Sequence, residues 1–228
     1  MDPQVLKKLN LARKERKAAI VVTHLDDGRD RVVLEEDDVY GDLGQAVSDA
    51  FQSGKSSKVE SVDGRLFLNV HLPSPRLVIV GAVHISQALV PMARIAGFDM
   101  RVIDPRTAFA SEERFKGVAL YPDWPEDVLK DNPLDRFTAV VAVTHDPKID
   151  DFPILAALKA NCFYVGALGS RKTHSARCDR LREAGALEEQ LERIRAPIGL
   201  DIGAASPAEI AVAVLAEIIE DLRHRGSR

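Results

Sequence analysis

The chain has 228 residues, 46% of them hydrophobic and 29% charged, with a formal net charge of −4. This composition supplies a globular core, and its acidic balance argues against a protein that binds the phosphate backbone of a nucleic acid. Aromatic residues make up only 5%, which argues against stacking platforms for single strands. No apolar run approaches the roughly 20 residues of a membrane span. The opening "MDPQVLKKLN" has no apolar leader, and Cys162 and Cys178 form neither a CxxC pair nor a disulfide framework. The expectation is a cytoplasmic protein with no nucleic-acid or membrane partner.

The pattern predicts a basic amphipathic helix over 3–17. "AAIVVTH" and "DRVVLEE" then flank Asp27-Gly28 as a hairpin. "QAVSDAFQSG" reads as a short helix closed by Gly54, and "KVESV" and "RLFLNVHL" flank Asp63-Gly64 as a second hairpin. The linker "HLPSPR" (71–76) ends this small α+β module, expected over 1–72, near the lower size at which a core stands alone.

Beyond the linker, strands alternate with helices, the signature of a parallel sheet. "RLVIV" (76–80) leads into an apolar helix face through Leu89, Met92 and Ile95, stopped by Gly97. "DMRVI" (99–103), a short "GVAL" (117–120), "TAVVAV" (138–143), "FYVGAL" (163–168) and "APIGL" (196–200) follow as strands. Ser206, Pro207 and Glu209 form a capping box with proline at the first helical position. The last helix is apolar nearly all round and so expected to be buried. The fold class predicted is α/β: a Rossmann-like doubly wound parallel sheet over 73–228, preceded by the small module.

Ligands of such sheets bind beyond the carboxyl ends of the strands, where strand order reverses. The polar candidates fall at those ends. Gly81, Ala82 and His84 follow the first strand, and Asp104 and Arg106 the second. Asp104 lies about twenty residues past the glycine turn, where an acid can bind a ribose, or else it caps its own turn. Thr144, His145 and Asp146 end the fourth strand. Gly169, Ser170 and Arg171 offer amides, a hydroxyl and a guanidinium at a helix start, an anion-binding arrangement. Asp201 follows the last strand. Val83 and Ser86 replace the second and third glycines of a dinucleotide turn. Val83 is expected to crowd a pyrophosphate, while the helix start remains open to a phosphate. Cys162 reads as a core residue. His84, His145 and Asp201 have ligand chemistry without local metal-ligand spacing, so no metal is assigned. No nucleophile–base pair is evident either, so no catalytic residue is named and a binding role is preferred to turnover.

"VIVGAVHISQAL", "VIDPR", "VTHDPKID", "FYVGALGSRKT" and "PIGLDIGAASPAEIAVAV" together resemble the XdhC/CoxI accessory family over nearly all of 76–220. The resemblance implies a molybdenum-cofactor chaperone that binds molybdopterin, supports its sulfuration and helps insert it into a xanthine dehydrogenase- or CO dehydrogenase-type client. A cysteine desulfurase is the further partner it implies, and a homodimer stays open. The family's first turn usually reads Gly-Ala-Gly-His, so Gly81, Ala82 and His84 match and Val83 departs. The family's N-terminal Gly-Cys-Val-Glu motif is replaced here by "YGDLGQAV", so no role of that cysteine carries over. Two other readings stand beside it: an NAD(P)-dependent oxidoreductase, which the fold allows, and a metal-dependent hydrolase using His84 and His145.

Overall fold

The structure, a computed structural model, describes residues 2–62 and 64–224. It divides into two compact units that meet in sequence between Pro73 and Ser74. The first contains α1 (Pro3–Lys14), β1 (Ala19–His24), β2 (Asp30–Leu34), α2 (Gly41–Ser53), β3 (Ser57–Ser61) and β4 (Gly64–His71). Its strands form an antiparallel sheet in the order β2-β1-β4-β3. Asp2 caps α1, its carboxylate accepting from the Gln4 amide at 2.6 Å, and Pro3 takes the first turn. That helix stops short of the expected residue 17 because Arg16 turns left-handed, at φ 56°. Leu9 and Ala12 of α1 bury against Ala19, Val21 and Val32 of the sheet. Gly54, left-handed at φ 67°, closes α2, which starts four residues earlier than its apolar pattern, at Gly41. Of the second hairpin turn, Asp63 lies outside the described residues.

The second unit contains β5 (Arg76–Val80), α3 (His84–Ile95), β6 (Asp99–Ile103), β7 (Ala119–Tyr121), α4 (Pro125–Asp131) and β8 (Thr138–Ala142). It continues with α5 (Pro147–Lys159), β9 (Tyr164–Ala167), α6 (Arg171–Glu183), α7 (Glu188–Leu191), β10 (Ile194–Arg195) and α8 (Pro207–Arg223). The six strands lie in the order β10-β9-β8-β5-β6-β7, every pairing parallel. The chain thus winds outward from β5 through β7, returns to β8 beside β5, and winds outward the other way. This is the doubly wound Rossmann order, with its switch point between β5 and β8.

All five residues of β5 and of β8 are buried, as sheets covered on both faces require. Alternate residues serve opposite cores. Leu77 and Ile79 pack with Leu89 and Ala93 of α3 and Val214 and Ile218 of α8. Val78 and Val80 pack with Val128 of α4, Ile154 and Leu158 of α5, and Leu181 of α6. Cys162 belongs to this second core, and burial pushes its thiol up to about 12.

Four local readings are corrected. The last strand is Ile194–Arg195 and not 196–200, where Pro197 has no N–H for a ladder and Gly199 sits at φ 91°. The third strand lies two residues later than "GVAL", at Ala119–Tyr121. Ile95 does not extend the buried face of α3; it is 88% exposed in the final turn. The last helix is less completely covered than its composition implies, since Val212 is 48% exposed. Its capping box forms as read: the Ser206 hydroxyl accepts from the Glu209 amide and the Glu209 carboxylate from the Ser206 amide. Among the described residues no helix is long and apolar enough to cross a membrane.

Candidate functional site

The turn after β5 begins at Gly81, whose amide donates to the Ile103 carbonyl at 2.8 Å. Its φ is +121°, and an added Cβ would stand 2.9 Å from Thr144 Cγ2 and 3.1 Å from Val143 Cγ2. Glycine is required here by backbone conformation and by the approach of the β8 end. The Ala82 amide donates to Asp104 Oδ2 at 2.7 Å, and the buried Ser86 hydroxyl to the Gly81 carbonyl at 2.5 Å. Ser86 thus fills the position of a third glycine with a side chain small enough to bury. Val83 has φ −97° and ψ 178°, extended backbone open to any residue, so the loss of the second glycine imposes no backbone strain. As N-cap of α3, Val83 offers no side-chain acceptor. The first-turn amides, at the positive end of the helix dipole, therefore receive no side-chain cap. His84, exposed, opens this helix.

Asp104 ends β6 fully buried, accepting from the amides of Ala82 and Arg106 and from Arg106 Nε and Nη2, all within 2.7–2.9 Å. Burial alone would raise its pKa, but these donors together hold it below the ordinary carboxylate value. Both oxygens are committed inside the protein, which is the turn-capping alternative rather than a free ribose-binding acid. Arg106 lies over the Phe109 ring at 4.8 Å. Arg114 bridges the Phe109 carbonyl and Gln87 Oε1 of α3, at 2.7 and 2.9 Å. Two guanidiniums therefore flank the first turn of α3, and Arg114 carried no motif by which the sequence would single it out.

The turn after β8 is organised by Asp150. Its Oδ1 accepts from the Thr144 hydroxyl at 2.7 Å, and that hydroxyl accepts from the Asp146 amide at 3.0 Å. Asp146 caps α5 by accepting from the Lys148 amide at 3.0 Å. His145, between them, is exposed and left-handed at φ 64°, a conformation uncommon outside glycine that asparagine, aspartate and histidine adopt more often than other residues. After β9, Gly169 at φ +136° leads to Ser170, which caps α6 by accepting from the Thr173 amide at 3.2 Å. A Cβ on Gly169 would press on Thr173 at 3.2 Å. Arg171 is exposed at the helix start. Behind it, Arg177 is 2% exposed and donates through Nη2 to the Leu168 carbonyl at 2.9 Å.

These turns are neighbours. Gly81 abuts Thr144, Ala82 is bonded to Asp104, and the Leu168 amide donates to the Ala142 carbonyl at 2.9 Å. Arg106, its charge held chiefly by Asp104, also senses Asp150 and Asp146. Burial raises Asp150 despite its Thr144 bonds and the charge of Arg177, and burial lowers Arg177 despite the charge of Asp150. Asp201 is exposed in the loop between β10 and α8, and the described hydrogen bonds do not join it to the other turns. Among the described residues no group of three or more His, Cys, Asp or Glu is arranged to hold a metal; His84 and His145 belong to no such group. Sequence reasoning passed over Asp150 and Arg177. Asp150 closes the quoted run "VTHDPKID", six residues past Thr144, and that spacing was the available signal.

Residues 77–218 match the family model described as the XdhC Rossmann domain. The molybdenum cofactor insertion chaperone PaoD of Escherichia coli is 33% identical over 154 residues, 67% of this chain and 42% of its own. A protein of Bacillus subtilis, named as a probable component of xanthine dehydrogenase, is 32% identical over 156 residues, 68% of this chain and 45% of its own. The chain spans less than half the length of the curated relatives it matches. A crystal structure of a xanthine dehydrogenase from Bacillus halodurans shares the fold, with a TM-score of 0.67 and 24% identity, covering 98% of this chain and 65% of that one.

Proposed function

The chain belongs to the XdhC family, and from that premise we propose that it binds the molybdenum cofactor as an accessory protein to a molybdoenzyme of the xanthine dehydrogenase or CO dehydrogenase type. In this reading it shelters the cofactor, supports its sulfuration by a partner such as a cysteine desulfurase, and passes it to the client. The observation that carries the reading is the uncapped start of α3 at the switch point, flanked by the guanidiniums of Arg106 and Arg114. The donor set suits a phosphate-bearing ligand: helix-start amides, planar guanidiniums and the His84 imidazole. When bound, the cofactor supplies the molybdenum centre and a pterin that ends in phosphate. The chain's own residues anchor that phosphate and place the rest over the turns after β8 and β9.

The family relationship and the PaoD likeness support this reading. The NAD(P) alternative gains nothing from the site, because Asp104 is buried with both oxygens occupied. Protein purified from a host that makes molybdopterin is expected to carry pterin, read as fluorescence after oxidation. A pterin-free protein that binds NADH tightly would overturn the proposal.

A further inference from the structure

Asp150 and Arg177 are 1% and 2% exposed, on consecutive helices that pack behind the ends of β8 and β9. Each uses part of its bonding capacity to hold a turn of the candidate site. Asp150 Oδ1 holds the Thr144 hydroxyl, and Arg177 Nη2 holds the Leu168 carbonyl. Beyond these, and beside the His145 amide that also favours the Asp150 carboxylate, Asp150 Oδ2, Arg177 Nε and Arg177 Nη1 are buried with no hydrogen-bond partner among the described residues. The two charges sense each other without closing into an ion pair. The contrast with nearby residues on the same helices is direct, since Arg180 and Asp151 form a two-pronged pair at 2.5 and 3.0 Å. Buried polar atoms in native proteins nearly always have partners, and an orphaned set marks a place where one is supplied. A buried charge left without full pairing is costly.

The chemistry of the orphaned atoms limits what fits. A carboxylate oxygen needs a donor and a guanidinium edge needs an acceptor, so the complement is a group carrying both side by side. An oxyanion alone would meet Asp150 with the wrong sign. We propose that Asp150 and Arg177 form a buried receptor for the amide-type edge of a heterocycle, an N–H or amino group facing Asp150 and a ring carbonyl oxygen facing Arg177. This rests on the cofactor reading, because the aminopyrimidinone edge of a pterin presents that pair of groups. It assigns the head of the ligand to α5 and α6 and leaves its phosphate to α3.

The test uses the full chain and neopterin, a pterin ring without phosphate, with binding followed by quenching of its fluorescence. The double variant D150N/R177M removes both charges together, so neither is left behind unpaired. It is expected to bind neopterin at least tenfold more weakly and to lose retained cofactor, with a melting temperature equal to or above that of the wild type. R177K, which keeps the charge but not the planar fork, is expected to fold and to bind with intermediate affinity, and it decides the matter if the double variant does not fold. Wild-type neopterin affinity in either variant would overturn the receptor and return the pair to a structural, water-filled role. If those variants also carry normal cofactor, the cofactor reading survives that loss. A wild-type protein that neither carries pterin nor binds neopterin would overturn both.

Discussion

Gly81 has no room for a side chain, and this one residue sets how closely the turns after β5 and β8 approach. With φ at +121° and Thr144 Cγ2 2.9 Å from a built Cβ, Gly81→Ala is expected to cost about 1–3 kcal/mol, the range of overpacking. A thermal melt measures that cost, and an unchanged melting temperature would show that the turn relaxes. Val83 is different, since its extended backbone asks nothing special of the side chain. Val83→Gly is expected to leave stability within about 1 kcal/mol and, on the expectation that the isopropyl group crowds a pyrophosphate, to improve dinucleotide affinity; titration with NADH reads this directly. At the exposed helix start, replacement of Arg171 by alanine is expected to cost under about 0.5 kcal/mol of stability, whereas His145→Ala, at a left-handed φ of 64°, is expected to cost more, about 1 kcal/mol. Loss of a charge-assisted contact at Arg171 is expected to weaken cofactor retention by roughly ten- to a hundredfold, from about 1.5–3 kcal/mol. Pterin retained through gel filtration, with melts alongside, separates the two effects. Normal retention in both variants would place the ligand elsewhere.

At the scale of elements, the proposed function makes α3 a helix that trades stability for a ligand site. Ser206 and Glu209 close the start of α8 with a reciprocal box, and Asp146 and Ser170 cap α5 and α6, whereas Val83, like Tyr40 of α2 and Trp124 of α4, gives its helix no side-chain acceptor; of these three, α3 starts at the switch point. Val83→Asp is therefore expected to stabilise the protein by about 1 kcal/mol, the usual worth of a cap. The same carboxylate would occupy the amides that an incoming phosphate needs, so cofactor retention should fall as the melting temperature rises. A rise in both would mean that the start of α3 is not the anion site. The elements themselves were largely legible in the sequence, because β5, β8 and β9 are apolar runs closed by glycine or polar residues and β6 follows a glycine-stopped helix. Three features were not. α4 and α7 are too short to show a helical period, at seven and four residues. The two-residue β10 is hidden beside the apolar "APIGL", whose proline and glycine bar it from the ladder. The receptor pair was hidden for another reason: Asp150 and Arg177 lie inside charged helical segments that read as solvated faces, and only tertiary packing buries them. The strand-end rule found the turns but could not reveal the helix residues that hold them from behind.

The whole molecule joins a second unit, matched by the family model over 77–218, to a first unit that the family model does not reach. Each unit carries a histidine whose pKa is lowered, and each is expected to make its unit less stable in acid. In the first, burial and then the charge of Arg13 lower His71, whose Nε2 is buried without a partner among the described residues. In the second, burial and then the charge of Arg177 lower His174. A histidine lowered by folding binds fewer protons folded than unfolded, so its contribution is complete above the unfolded value, about 6.5, and is lost as pH falls through the folded one. Asp104, also lowered, gives up its contribution at still lower pH, beginning near the ordinary aspartate value. Asp150 opposes this trend, because its raised pKa favours the folded state at low pH and weakens it as the carboxylate ionises. Melting temperature is therefore expected to decline from pH 7 to pH 5 and to fall again below about pH 4. His71→Gln and His174→Gln should each flatten the first decline without touching the second. Asp104→Asn should lower the melting temperature at pH 7, by about 1–3 kcal/mol of lost charged hydrogen bonding, and flatten the second. A set of melts from about pH 3 to pH 8 on these variants measures all three, and an unchanged slope in both histidine variants would show that other groups govern the acid response.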